Sequence, residues 1–133
     1  MGDVRVDFLF TLYFIGRRIK GEHKKHNEDL MLQMTILHLL SQKDHTLSEL
    51  SKKVYSKLSA LSEKIANLER GGLVQRNHKV EDGREIWLSL TPLGVSEANN
   101  GIIKMKQYCT AFTESLTDAE TQTVTTLLQK LIA

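Results

Sequence analysis

The segment EDGRE, residues 81–85, places an arginine beside a turn-forming pair, and this chemistry suits a nucleic acid. Asp82 and Gly83 form a dipeptide typical of a tight hairpin turn between two strand-like runs. The turn does not itself require Arg84, but a guanidinium on a narrow projection fits the negative potential of a DNA minor groove. Lys79 and Arg76 lie on the same predicted hairpin and add positive charge. Asp82 cannot favour DNA by charge, so we expect it to cap the turn or to hold Arg84 by paired hydrogen bonds.

A helix predicted over residues 56–70 offers a second set of groups suited to DNA. Four apolar residues at helical spacing, from Leu58 through Leu61 and Ile65 to Leu68, are expected to face the core. The opposite side then carries small polar residues near the helix start, which allow close approach to a major groove. Glu63 could accept from a cytosine amino group, and the lysines suit phosphate. We predict DNA contacts from Ser56, Lys57, Ser59, Ala60, Ser62, Glu63, Lys64 and Asn67.

Hydrophobic spacing places these residues in a predicted order of helix, helix, short helix, turn, helix, hairpin, helix, helix. Thr46 or Ser48 is expected to cap the short helix, Ser56 or Lys57 the next one, and Gly71 or Gly72 to end it. The predicted helices cover about 4–24, 27–42, 46–54, 56–70, 92–114 and the segment after SLTDAE, and the strands cover 73–78 and 85–90.

The fold class is therefore mainly α with a small antiparallel β-hairpin wing, a winged helix-turn-helix with N- and C-terminal dimerisation helices. We expect a single domain over residues 1–133, with a DNA-binding lobe at about 27–91. The terminal helices, at about 4–24 and 92–133, are more apolar than a monomeric surface requires. They would most simply bury each other across a two-fold axis, which predicts a homodimer.

Composition is consistent with this interpretation. The formal charge is +2, and residues 47–91 hold eight Lys/Arg against six Asp/Glu, while 92–133 hold three against four. The middle of the chain is thus the basic part, which permits a polyanion partner. A single cysteine fits a reducing cytoplasm, and the apolar run at 8–15 is too short to span a bilayer and lacks the flanks of a signal peptide. No catalytic arrangement and no cofactor site is predicted.

Three stretches together resemble the MarR (multiple-antibiotic-resistance regulator) family: LSELSKKV, LSALSEKIANLERGGLVQR and EDGREIWLSLTPLG. The shared pattern is Leu68–Arg76, an Asp-x-Arg wing at Asp82–Arg84, and a Leu-Thr-x-x-Gly at Leu90–Gly94 that opens a helix. The likeness extends to QMTILHLL upstream and to the closing helix. It implies a dimeric transcription regulator, usually a repressor, on a pseudo-palindromic operator of double-stranded DNA. Glu63 stands where many members have a basic or hydroxyl residue, so no base preference is implied.

The resemblance also implies a pocket for a small-molecule effector between the dimer helices and the DNA-binding lobe. We assign Tyr13, Met34, His38 and Phe112 to its lining. Cys109, inside an apolar helix, is expected to be a buried structural residue rather than an oxidant sensor. Glu22, His23 and His26 offer metal ligands but are expected to form a solvated helix end. A winged-helix protein-interaction module and a metal-sensing regulator are the alternatives to the ligand-responsive regulator.

Overall fold

A computed structural model describes residues 3–22, 26–78 and 85–132. The element order confirms the predicted mainly helical winged helix-turn-helix, with one short strand added. The elements are α1 (Val4–Glu22), α2 (His26–Gln42), β1 (His45–Thr46), α3 (Leu47–Lys53), α4 (Leu58–Arg70), β2 (Val74–His78), β3 (Ile86–Leu90), α5 (Pro92–Phe112) and α6 (Asp118–Gln129).

The helix-turn-helix, α3 and α4, is built around a core to which every element from α2 to α5 except β1 contributes apolar side chains. Thr46 starts α3 with a capping box, in which its hydroxyl accepts from the Glu49 amide while the Glu49 carboxylate accepts from the Thr46 amide. Of the two predicted caps, Thr46 is therefore the one used. The buried core side chains are Ile36, Leu37, Leu40, Leu50, Leu61, Ile65, Leu68, Val74, Leu88 and Ala98.

The sheet has three antiparallel strands in the order β1-β3-β2. β2 and β3 pair from Val74 opposite Leu90 to His78 opposite Ile86, which confirms the predicted hairpin strands to within a residue at each start. β1 was not predicted, because a two-residue strand has no readable period. Its His45 is fully buried, and its Nδ1 is 2.9 Å from the Lys43 carbonyl oxygen.

α5 starts at Pro92, as predicted, and packs along α2. Proline suits this first position because the N–H that it lacks would have no acceptor within the helix there. Thr91 is the N-cap, and its hydroxyl accepts from the Gly94 amide at 3.0 Å. Gly101 lies against Met34 of α2, since a Cβ at Gly101 would come within 2.9 Å of the Met34 methyl carbon. The two helices therefore approach closely at this point.

α1 and α6 expose most of their apolar side chains. On α1, Phe14 and Leu9 are 65% and 66% exposed, and on α6 no side chain is buried against the described part of the chain. Thr117 caps α6 in a second capping box, and hydrogen bonds from the Thr117 amide and hydroxyl lower the pKa of Glu120. Within the described ranges, no helix is long and apolar enough to cross a membrane.

Candidate nucleic-acid interface

One side of α4 is buried in the core and the opposite side faces solvent. Leu61, Ile65 and Leu68 are at most 4% exposed, as predicted from their spacing. Leu58 was expected to join them, but it is 52% exposed, because it lies in the first turn at the end of the stripe. Of the side chains predicted to contact DNA, Lys57, Ser59, Ala60, Glu63 and Asn67 are exposed, and Ser56, Ser62 and Lys64 are half-buried.

The N-terminal end of α4 leaves its first amides open. Lys57 is the N-cap residue, with extended backbone angles, and makes no side-chain capping hydrogen bond with the described residues. This decides between Ser56 and Lys57, the two predicted caps. The turn is held instead from α3, because the Ser51 hydroxyl donates to the Ser56 carbonyl oxygen at 2.6 Å. A lysine beside open helix amides forms an end that attracts phosphate.

Tyr55, in the turn before α4, was not among the residues assigned to DNA. Its backbone is left-handed, with φ of 51°, and its side chain is 81% exposed. A left-handed tyrosine is uncommon because its Cβ crowds the following carbonyl. The sequence predicted only a turn before this helix, since neither backbone angle nor exposure can be read from spacing. The structure adds Tyr55 to the side chains at this end of α4.

The C-terminal end of α4 closes with a left-handed glycine. Gly72, with φ of +76°, takes the role predicted for Gly71 or Gly72. Its amide donates to the Glu69 carbonyl and the Leu73 amide donates to the Leu68 carbonyl, each at 3.0 Å. This is the Schellman arrangement, which satisfies the last carbonyls of a helix.

Arg76, which was predicted to extend the positive charge of the wing, is paired with α4. Its Nε lies 3.0 Å from a carboxylate oxygen of Glu69, and both side chains are partly exposed. The sequence did not predict this ion pair, because Glu69, seven positions earlier in sequence, lies beside Arg76 only in space. Asn67 is also engaged, since its side-chain oxygen accepts from Arg70.

The predicted tip of the wing lies outside the described residues. This applies to Lys79, Asp82 and Arg84, which follow β2 and precede β3 in sequence. The side chains of Glu22, His23 and His26, which were expected to form a solvated helix end, also lie outside the described part. Among the described side chains, no group of three or more His, Cys, Asp or Glu residues is placed to hold a metal ion.

Two adjoining apolar cavities, of about 380 and 370 Å³, lie along α2 and α5. Met34 lines both, while His38 lines the first and Phe112 the second, so three of the four residues assigned to a pocket lie together. Tyr13 is 60% exposed on α1 and is not among the residues lining these cavities. Ile19 is instead the residue of α1 that lines the second cavity.

Cys109 lines both cavities and is exposed in the single chain. The prediction of a buried cysteine is therefore wrong for one chain, because within the described ranges Cys109 borders these cavities and no other element covers it. Near the same end of α5, the guanidinium carbon of Arg18 lies 4.8 Å from the centre of the Phe112 ring. This cation–π contact holds α1 against the end of α5.

Comparison with known proteins relates the lobe to a family of regulators. Residues 31–86 match the MarR family. The uncharacterized HTH-type transcriptional regulator YwhA of Bacillus subtilis is 28% identical over 86 residues, which is 65% of this chain. The chain spans 62% of the length of that curated relative.

Solved structures show the same architecture over most of the chain. The transcriptional regulator BldR from Sulfolobus solfataricus has a TM-score of 0.79 at 19% identity, over 97% of this chain and 99% of that one. A MarR protein from Peptoclostridium difficile has a TM-score of 0.73 at 22% identity, over 94% and 84%. Wild-type MarR from E. coli in its apo form has a TM-score of 0.64 at 26% identity, over 76% of each chain. The match to the MarR family thus covers residues 31–86, and the solved structures share the winged helix-turn-helix fold over most of the chain.

Proposed function

We propose that this protein binds specific duplex DNA as a homodimer and regulates transcription, as a repressor on a pseudo-palindromic operator. The observation that carries the proposal is the division of α4. One side is buried through Leu61, Ile65 and Leu68, and the other presents short exposed side chains such as Ser59 and Ala60. Helices that read base edges use this arrangement, because short side chains let the helix enter a major groove.

The open amides at the start of α4 support the same mode of binding. A helix N-terminus with Lys57 beside it attracts a phosphate, which would fix the register of α4 on the duplex. Arg84 is proposed to enter the adjacent minor groove from the wing. Arg76, on β2, is proposed to exchange Glu69 for a phosphate, because a partly exposed ion pair of this kind is weak.

Homodimer formation is supported by the apolar side chains that α1 and α6 expose to solvent. Phe10 and Phe14 stack on α1 with their ring centres 6.5 Å apart and are each more than half exposed. Leu127 of α6 and the following Leu131 are 55% and 63% exposed. Exposed aromatic and leucine side chains in such number are typical of an interface, and a two-fold axis would cover the same patch on both copies.

The two cavities along α2 and α5 support control by a small apolar effector. Their lining is mainly apolar, with Met34, Met105 and Phe112 as adaptable or aromatic walls. A ligand that binds one arrangement of α2 and α5 better than another would shift the population of DNA-binding dimers by its differential affinity.

The first experiment is selection of bound sequences from a random duplex pool with purified protein at moderate salt. We expect enrichment of an inverted repeat whose half-sites lie about 10 bp apart. Binding should weaken steeply with added salt, because phosphate contacts release counterions. Unpatterned binding that disappears with salt would instead favour a winged-helix protein-interaction module, for which the exposed carboxylate of Glu63 is the supporting observation.

A further inference from the structure

Gly72 and Leu73, which follow the end of α4, are joined to the start of α5 by direct hydrogen bonds. The Thr91 hydroxyl donates to the Gly72 carbonyl oxygen at 2.5 Å, and the Thr91 amide donates to the Leu73 carbonyl oxygen at 3.0 Å. The same hydroxyl accepts from the Gly94 amide at 3.0 Å. Thr91 thus caps α5 and bonds the segment that ends α4.

Gly94 brings the first turn of α5 into close contact with the same segment. A Cβ at this position would stand 2.0 Å from the Leu73 carbonyl oxygen and 3.2 Å from the Leu90 side chain. The backbone of α5 therefore rests directly on the backbone of Leu73. Since real Cβ atoms do not approach an oxygen so closely, a glycine is the residue that permits this contact.

Gly72 and Leu73 are held by backbone hydrogen bonds on both sides. Gly72 and Leu73 already donate their amides to the last turn of α4, to the carbonyl oxygens of Glu69 and Leu68. Their carbonyl oxygens accept from Thr91. Two residues are therefore hydrogen bonded to α4 on one side and to α5 on the other, and α4 cannot turn relative to α5 without breaking these bonds.

We infer that Thr91 and Gly94 are positioning residues that fix the orientation of α4 on α5, and thereby set the half-site spacing that the dimer accepts. This inference rests on the proposed dimeric DNA binding, in which α5 leads from α4 towards the exposed apolar surface of α1 and α6. If the clamp at Thr91 holds each α4 at a fixed angle, the distance between the two α4 helices is fixed as well. A looser clamp would tolerate half-sites at neighbouring spacings.

The test uses full-length protein and a set of duplexes with the selected half-sites separated by the selected spacing and by one or two base pairs more or fewer. Thr91→Asp keeps a capping acceptor for the Gly94 amide but has no donor for the Gly72 carbonyl oxygen. Thr91→Ser keeps both. Thr117→Val is the matched control, because it removes an N-cap hydroxyl of α6 that bonds Glu120 and lies outside the clamp.

The readout is the Kd at a neighbouring spacing divided by the Kd at the best spacing. A loss of active protein changes both Kd values equally and therefore leaves this ratio unchanged. We expect Thr91→Asp to reduce this ratio by about fivefold or more, the lower end of typical coupling between sites. Thr91→Ser and Thr117→Val should keep the wild-type ratio. Thr91→Val, which lacks both donor and acceptor, should act like Thr91→Asp and provides a second variant should the first not fold.

A Thr91→Asp protein that binds more weakly at every spacing, with the wild-type ratio unchanged, would overturn the clamp while leaving the proposed DNA binding intact. A wild-type protein that enriches no inverted repeat would overturn the proposed function itself and the inference with it. The two failures are therefore distinguished by the wild-type measurement alone.

Discussion

At the scale of single residues, two glycines of α5 differ in what lies beside them. A Cβ at Gly94 meets the Leu73 carbonyl oxygen, which is backbone, whereas a Cβ at Gly101 meets the end of the flexible Met34 side chain. Backbone cannot yield as a methionine can. We expect Gly94→Ala to cost about 1–3 kcal/mol in free energy of unfolding.

Gly101→Ala is the matched comparison within the same helix. Alanine gains up to about 1 kcal/mol over glycine inside a helix, which offsets the small displacement of Met34, so we expect near-wild-type or higher stability. Urea unfolding at one fixed protomer concentration measures both variants, because dimer stability depends on concentration. Equal stability of Gly94→Ala and Gly101→Ala would contradict the close backbone contact.

Among the wing residues, Arg84 has the side chain best suited to a DNA minor groove. Removing a guanidinium from a minor groove should weaken operator binding by about 1–3 kcal/mol, so we expect Arg84→Ala to raise Kd accordingly. Lys130→Ala is the control, because it removes one exposed positive charge from the end of α6. Fluorescence anisotropy on the selected operator separates them. An Arg84→Ala affinity equal to that of Lys130→Ala would reject the wing assignment.

The sequence predicted the burial of a side chain correctly where burial follows helical spacing. It did not predict burial or pairing that depends on residues distant in sequence. The stripe of Leu61, Ile65 and Leu68 was predicted because a helix repeats every 3.6 residues. The pairing of Arg76 with Glu69 was not, because the hairpin returns beside α4 only in three dimensions. Exposure of Cys109 was missed for the same reason, since spacing shows that a side is apolar but not what covers it.

At the scale of elements, α4 differs from the helices on either side of it in how it begins. α3 and α5 start at threonines whose hydroxyls accept from helix amides, whereas Lys57 leaves the amides of α4 without a side-chain partner among the described residues. A missing cap lowers helix stability by about 1 kcal/mol. We infer that α4 is less stable for lack of a cap because its first amides are kept free to bind a phosphate.

Lys57→Asp tests that interpretation, because it should add a cap to α4 and remove the site for a phosphate. A carboxylate would cap α4 and favour its positive end, so we expect the Tm to rise. It would also occupy the amides and repel phosphate, so operator affinity should fall. Lys57→Ala removes the charge without adding a cap, and its log Kd against log salt concentration should lose about one unit of slope. If Lys57→Asp bound DNA as well as Lys57→Ala, the open amides would have no role in binding.

The elements themselves were largely predictable, because their ends carry local signals. Thr46, Gly72 and Pro92 mark boundaries through capping, left-handed backbone and a missing amide, each of which depends on adjacent residues. β1 was not predictable, because its two residues pair with β3 some 40 positions later in sequence. The clamp formed by Thr91 with Gly72 and Leu73 was not predictable either, although both of its halves lie in motifs visible in the sequence.

At the scale of the whole molecule, the structure is a winged lobe, α2 to β3, joined to helices whose apolar side chains remain exposed. The cavities along α2 and α5 lie between these two parts, with Ile19 of α1 and Phe112 of α5 on their walls. In the proposed dimer, a second copy would pack over the exposed apolar side chains of α1 and α6. Dimerisation, effector binding and the position of α4 would then be linked through α5, which contributes to all three.

The dimer is tested by placing a charge on the surface it would bury. Leu127 of α6 is 55% exposed in the single chain, and an aspartate there would have to be buried without a partner in the dimer. We expect Leu127→Asp to shift the mass measured by light scattering from dimer to monomer. It should also abolish binding to the inverted repeat, because one α4 contacts only one half-site. Leu93→Asp is the matched control for the mass measurement, since Leu93 is 53% exposed in the first turn of α5, beside the winged lobe. A Leu127→Asp protein with the same mass as Leu93→Asp would show that α6 is not part of the interface.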